Sequence, residues 1–140
     1  MKKTLPDDSY TLHTDLYQLN MIETYWRKGI DQKKAIFEVF FRDLPFDNGY
    51  AGLERLVSYI NKLKFTETDL EYLRDEVGYK DDFIDYLRNF KFTATIRSVV
   101  EGEVVFNKEP LIQVEGPLVD CQLVETAILN IVNYQTLIAT

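Results

Sequence analysis

The spacing of apolar residues changes along this chain, and those changes limit its fold more than any other feature. Up to about Phe90 apolar side chains recur mostly at helical intervals. From Phe92 to Val114 they alternate, and from Leu118 onward they return to a helical stripe. Helices and strands are therefore segregated and not strictly alternating, which predicts an α+β fold over a doubly wound sheet.

Thr14 reads as the N-cap of a first helix, with Asp15 in its first turn and Leu16, Leu19, Ile22 and Trp26 at helical spacing. Arg27, Lys28 and Gly29 supply its C-terminal signal. Ala35 to Arg42 is β-branched and aromatic. Phe37, Val39 and Phe41 fall on one face and Ile36, Glu38, Phe40 and Arg42 on the other, a strand with both faces largely apolar. The run Leu44-Pro45-Phe46-Asp47-Asn48-Gly49 breaks that pattern. A helix from about Leu53 to Leu63 follows, with Leu53, Leu56, Val57 and Ile60 inward, and Thr66 caps a shorter helix through Leu70 and Leu73. Another helical stretch runs through Phe83, Ile84 and Leu87. The alternating section predicts strands near Phe92 to Val100, Val104 to Phe106 and Leu111 to Val114, with a turn at Glu101-Gly102 and an end at Gly116-Pro117. The final helix covers Leu118 to Thr140, with a broad stripe of Leu123, Val124, Ala127, Ile128, Ile131 and Val132 and a polar edge of Gln122, Asn130 and Asn133. Neither glycine, proline nor a basic last turn closes it, so the chain is expected to stop inside an element.

With 140 residues, 46% of them apolar, the chain suits a single domain with a sizeable core. A net charge of −7 argues against nucleic acid and anionic membrane as partners, because both are held mainly by clustered lysine and arginine. The opening holds Pro6, Asp7 and Asp8 where a secretory signal needs an apolar run, and Cys121 is the single cysteine, so the expected location is the cytoplasm. His13 is the single histidine, which leaves no multi-histidine metal site, and no glycine-rich phosphate loop is present. Glu67, Asp69, Glu71, Asp75 and Glu76 cluster around Arg74 and read as a solvated face, not a catalytic pair.

The segment Thr14-Asp15-Leu16-Tyr17-Gln18-Leu19-Asn20-Met21, continued by Tyr25-Trp26, resembles the opening helix of nicotinate phosphoribosyltransferases. Further similar blocks follow in the family's order: Phe37-Glu38-Val39-Phe40-Phe41-Arg42 with Leu44-Pro45-Phe46, then Ala51-Gly52-Leu53, then Phe65-Thr66 with Tyr72-Leu73. Glu101 to Phe106, Glu109 to Pro117, Gln122 to Thr126 and Asn133 to Thr140 complete a resemblance over nearly the whole chain. The nicotinamide-using relatives share a Thr-Asp-x-Tyr opening, and Gln18 with Tyr25-Trp26 looks more like the nicotinate branch; a nicotinamide- or quinolinate-type phosphoribosyltransferase is the alternative within the superfamily.

The resemblance implies a hammerhead-type N-terminal domain of a type II phosphoribosyltransferase, spanning residues 1–140 and ending inside a long helix that leads into an α/β barrel domain not included here. It implies homodimers with shared active sites that join nicotinate to phosphoribosyl pyrophosphate, with Mg²⁺ and ATP bound mainly by the barrel, and no catalytic residue within this chain. Tyr17 reads from composition as a half-buried core tyrosine, whereas the family motif makes it the residue that stacks on nicotinate from the neighbouring subunit. Asp15 either orients that site or favours the positive end of the helix. Arg42 either pairs with Glu38 or clamps a phosphate. His13 is placed in a flexible lead-in segment, since the histidine that the family phosphorylates belongs to the barrel. Two other classes are compatible with parts of the sequence: a biotinyl or lipoyl carrier, with Lys108 at the turn between Phe106 and Leu111, and a pure dimerisation domain.

Overall fold

A computed structural model describes residues 10–43 and 48–139. It contains five α-helices and five short strands: α1 (Leu16–Arg27), β1 (Lys34–Val39), β2 (Asn48–Gly49), α2 (Leu53–Asn61), α3 (Glu67–Tyr72), α4 (Asp81–Arg88), β3 (Thr95–Ser98), β4 (Val104–Val105), β5 (Ile112–Pro117) and α5 (Leu118–Ala139). A π turn, Leu73–Val77, extends α3. The α+β expectation holds. An all-β carrier module does not, since helices make up most of the ordered backbone. The expected break at Leu44 to Asp47 lies outside the described residues, and Asn48 and Gly49 form a two-residue strand paired with β4.

The main sheet is antiparallel in the order β1-β5-β3, with Phe37 opposite Val114 and Val39 opposite Ile112. These four side chains face α5, which also packs on α1 and α2, so α5 is the spine of the domain. Its buried stripe contains every apolar residue expected from the sequence, from Leu123 to Val132. The other sheet face is not apolar as expected. Ile36 is 53% exposed there, beside a charged lattice in which Glu115 accepts from Arg97 at 2.8 Å and pairs with Lys34.

Gly116 and Pro117 do not end the sheet. They are its last ladder positions, opposite Ala35 and Lys34, and the chain enters α5 at the next residue. A side chain at Gly116 would lie 2.6 Å from Cβ and 2.7 Å from Cα of Ala94, so this strand can run past the start of β3 only with glycine here. With no loop before α5, its first free N–H groups must be satisfied from elsewhere. Leu118 N–H donates to Lys33 O at 2.8 Å and Val119 N–H to Asp31 O at 3.1 Å. In the same turn the buried Asp120 carboxylate accepts the N–H groups of Thr93 at 2.6 Å and Ala94 at 2.9 Å. Burial pushes the Asp120 carboxyl above its ordinary range, against the pull of those donors.

The Thr66 cap is present as a full capping box with Asp69. The inner stripe of α2 differs from expectation: Leu56 and Tyr59 are buried, while Val57 is exposed. Helix α4 joins α1 through Trp26, stacked at 5.0 Å on Tyr86, and through Arg27 bonded to Asp82. Among the described residues no helix is long and apolar enough to cross a membrane.

Candidate functional site

One side of α5 gathers the residues singled out by the sequence. Thr126 donates its hydroxyl to Asp15 at 3.0 Å, and one turn later Asn130 pairs through Nδ2 with His13 Nε2 at 2.9 Å. Residues four apart on a helix share a face, so two rungs hold the start of α1 and its lead-in against α5. His13 is therefore part of a tether and not a loose lead-in.

The helix starts one residue later than expected. Asp15, not Thr14, is the N-cap, and it offers no side-chain cap because its carboxylate is engaged by Thr126. Thr14 instead donates to Gln18 Oε1 at 2.6 Å. The buried Gln18 amide uses its other end to donate to Tyr17 Oη at 3.3 Å. Tyr17 consequently stands at the second helical position and is 53% exposed, outside the core that composition suggested. An exposed aromatic face thus sits beside a helix N-terminus without a side-chain cap, a place that favours an anion. Leu16 and Met21 are exposed on the same helix.

Arg42 lies three residues past the end of β1, where strand alternation no longer applies, and its expected pair with Glu38 does not form among the described residues. Glu38 instead accepts from Gln113 Nε2 at 3.3 Å. Arg42 lines a cavity of about 440 Å³ between this segment and α5, together with Glu38, Glu125, Asn130 and Asn133. Asn130 thus touches both the His13 tether and the Arg42 cavity, and Asp15 is held one turn earlier on the same helix.

Sequence reasoning missed Gln18, Thr126 and the pairing of Asn130. The available signal was the polar spacing along an otherwise apolar α5. Gln122, assigned to the same polar edge, is buried and accepts from Tyr25 Oη at 3.3 Å. Among the described residues no group of three His, Cys, Asp or Glu side chains converges as a metal ion requires.

A family profile for the nicotinate phosphoribosyltransferase (NAPRTase) N-terminal domain matches residues 12–133. The chain is 65% identical to nicotinate phosphoribosyltransferase of Bacillus subtilis, over 96% of this chain and 28% of that protein. It is 42% identical to the nicotinate phosphoribosyltransferase of Caenorhabditis elegans, over 92% of this chain and 24% of that one. The crystal structure of human nicotinic acid phosphoribosyltransferase superposes with a TM-score of 0.80 at 37% identity, covering 91% of this chain and 27% of the human one. The chain therefore spans about a quarter of the length of these relatives. On the profile match and these identities, it belongs to the nicotinate phosphoribosyltransferase family, as the N-terminal domain.

Proposed function

We propose that the protein to which this domain belongs joins nicotinate to phosphoribosyl pyrophosphate, releasing pyrophosphate and forming nicotinate mononucleotide for NAD salvage, with ATP hydrolysis driving turnover. This domain supplies part of the nicotinate site and the contacts of a homodimer. The observation that carries the reading is the exposed Tyr17 ring beside the α1 N-terminus, both fixed to α5 through Asp15 and His13. A flat aromatic acid needs a stacking face and a region of positive potential, and this corner offers both.

The reaction demands that ring nitrogen and anomeric carbon be held in line while positive charge grows on the sugar and negative charge on the leaving group. Tyr17 fixes the plane of the nicotinate, and Asp15 fixes the helix end that carries Tyr17. Arg42 contacts one phosphate oxygen of the second substrate. Glu38 and Glu125 share its cavity, so the remaining phosphate charge is met outside this domain. The described residues do not build a magnesium site, and we assign magnesium and ATP to the barrel region of the full protein, along with the catalytic groups. The exposed Leu16 and Met21, next to Tyr17, support a subunit contact there, with Tyr17 reaching the site of the neighbouring subunit. We place the enzyme in the cytoplasm, where a buried, unpaired Cys121 is at home.

Full-length protein incubated with phosphoribosyl pyrophosphate, ATP and nicotinate, nicotinamide or quinolinate tests the reading. Nicotinate should be converted to its mononucleotide with release of pyrophosphate. Preferential turnover of either other acceptor would sink it.

A further inference from the structure

Four of the six arginines are held by carboxylates: Arg27 by Glu23 and Asp82, Arg74 by Asp75, Arg88 by Glu67 and Asp85, and Arg97 by Glu115. Arg42 and Arg55 have no ion pair among the described residues, although 23 Asp and Glu face 16 Lys and Arg in the chain. Arg42 belongs to the cavity already assigned. Arg55 begins a stripe on α2 with Ser58 and Tyr59, three and four residues on, and Lys62 at the C-cap borders the same cavity.

That stripe borders a separate cavity of about 130 Å³, closed by Tyr10 and His13 and by Ile131 of α5. The lead-in wall is fixed, because Thr11 Oγ1 donates to Lys64 O at 2.7 Å while His13 is held by Asn130. Among the described residues no carboxylate lines the cavity, and Lys62, like Arg55, has no ion pair. Tyr59, on the same wall, is 5% exposed, and its hydroxyl is buried without any hydrogen-bond partner. An unsatisfied buried hydroxyl costs about 1–3 kcal/mol, so its presence among unpaired cations points to a bound group that completes it. Burial also holds the phenol well above its ordinary range, so it stays an O–H donor and adds no negative charge.

We propose that this cleft binds a phosphoryl group, with Arg55 and Lys62 as its counter-charges and the Ser58 and Tyr59 hydroxyls as neutral donors. Two cations and two hydroxyls suit a dianion with several acceptor oxygens better than a single carboxylate. A wider groove of about 350 Å³ continues from it past Tyr134 and Gln135, with room for whatever the phosphate is esterified to. The cleft shares no lining residue with the Arg42 cavity, although Asn130, which holds His13 in its wall, borders both that cavity and the wider groove.

The test is equilibrium dialysis of full-length protein with inorganic phosphate and, separately, with ATP, joined to a crystal structure in phosphate. Arg55→Gln/Lys62→Gln should weaken phosphate binding about tenfold or more, since both charge-assisted contacts are lost. Tyr59→Phe should weaken binding several-fold yet leave the ligand-free protein no less stable to heat, because the hydroxyl has no partner of its own. If ATP binds more tightly than phosphate and the double variant weakens it equally, the source is a nucleotide. If phosphate alone responds, the source is the free ion. Unchanged phosphate affinity in a folded Arg55→Gln/Lys62→Gln protein, a destabilised ligand-free Tyr59→Phe, or phosphate density only elsewhere would overturn the proposal.

Discussion

Tyr17 separates the two roles that an aromatic residue can take. Tyr17 is half exposed and among the described residues its hydroxyl meets only Gln18, so neither the core nor a hydroxyl network demands a tyrosine here. If stacking is its task, Tyr17→Phe in the full enzyme should keep nicotinate affinity, while Tyr17→Ala should lose about 0.5–1.5 kcal/mol or more of it, read from the KM for nicotinate. Equal losses in both variants would assign the effect to the hydroxyl. Arg42→Ala should raise the KM for phosphoribosyl pyrophosphate about tenfold with unchanged thermal stability, since no ion pair is broken. Asp120 offers a pH test. Its folded-state pKa lies above the ordinary value near 4, so the folded state holds the proton more tightly, and stability falls as pH rises through that window. Asp120→Asn keeps an oxygen for the Thr93 and Ala94 N–H groups and removes the titration. The stability of the Asn variant relative to wild type should therefore increase from acid toward neutral pH in denaturant unfolding. A constant difference across that range would show that Asp120 titrates normally.

Among the elements, what was legible followed from periodicity and what was not followed from neighbours. The stripe of α5, the Thr66 cap and the helical stretch at Phe83 to Leu87 are local patterns, and each is found as read. Thr14 gave way to Asp15 as N-cap because its hydroxyl reaches Gln18, a competition that a cap signal alone does not reveal. Tyr59 replaced Val57 on the inner face of α2 because the approach of α5 selects which stripe is covered. Gly116-Pro117 looked like punctuation, but the glycine is there for the passage of β5 beside Ala94. Arg42 and Glu38 were assigned to one face by an alternation that stops at Val39. The roles of Asp15 and Tyr17 in a substrate site came through the family motif, and the tethers of Asp15 to Thr126 and of His13 to Asn130, more than a hundred residues apart, only from the fold. The junction gives its own prediction. Gly116→Ala places a methyl within 3 Å of Ala94 backbone and side chain, and such overpacking costs about 1–3 kcal/mol, measurable as a lowered denaturant midpoint. An unchanged midpoint would mean that β3 can retreat freely.

At the scale of the whole molecule, an acidic chain can serve a phosphate-handling enzyme only if positive charge is local, and Arg42 and Arg55, the two arginines without ion pairs among the described residues, both border cavities against α5. The same helix leaves Leu129, Leu137 and Ile138 exposed, and α1 leaves Leu16, Tyr17 and Met21 exposed. Exposed apolar side chains on two helices of one small domain call for a cover, and in the relatives about three quarters of the protein lies outside the matched region. The domain alone, without that remainder, should convert no nicotinate. Whether Tyr17 serves the site of its own subunit or its neighbour's is decided by mixing chains. Full-length Tyr17→Ala protein and full-length protein disabled in the barrel region should each be weak or inactive. In mixed dimers a shared site can combine an intact Tyr17 from one chain with an intact barrel from the other, so activity should recover to a fraction of the wild-type value. Verified heterodimers that stay inactive would place Tyr17 and the barrel groups in one subunit, and the assignment of Tyr17 to the neighbouring site would fall.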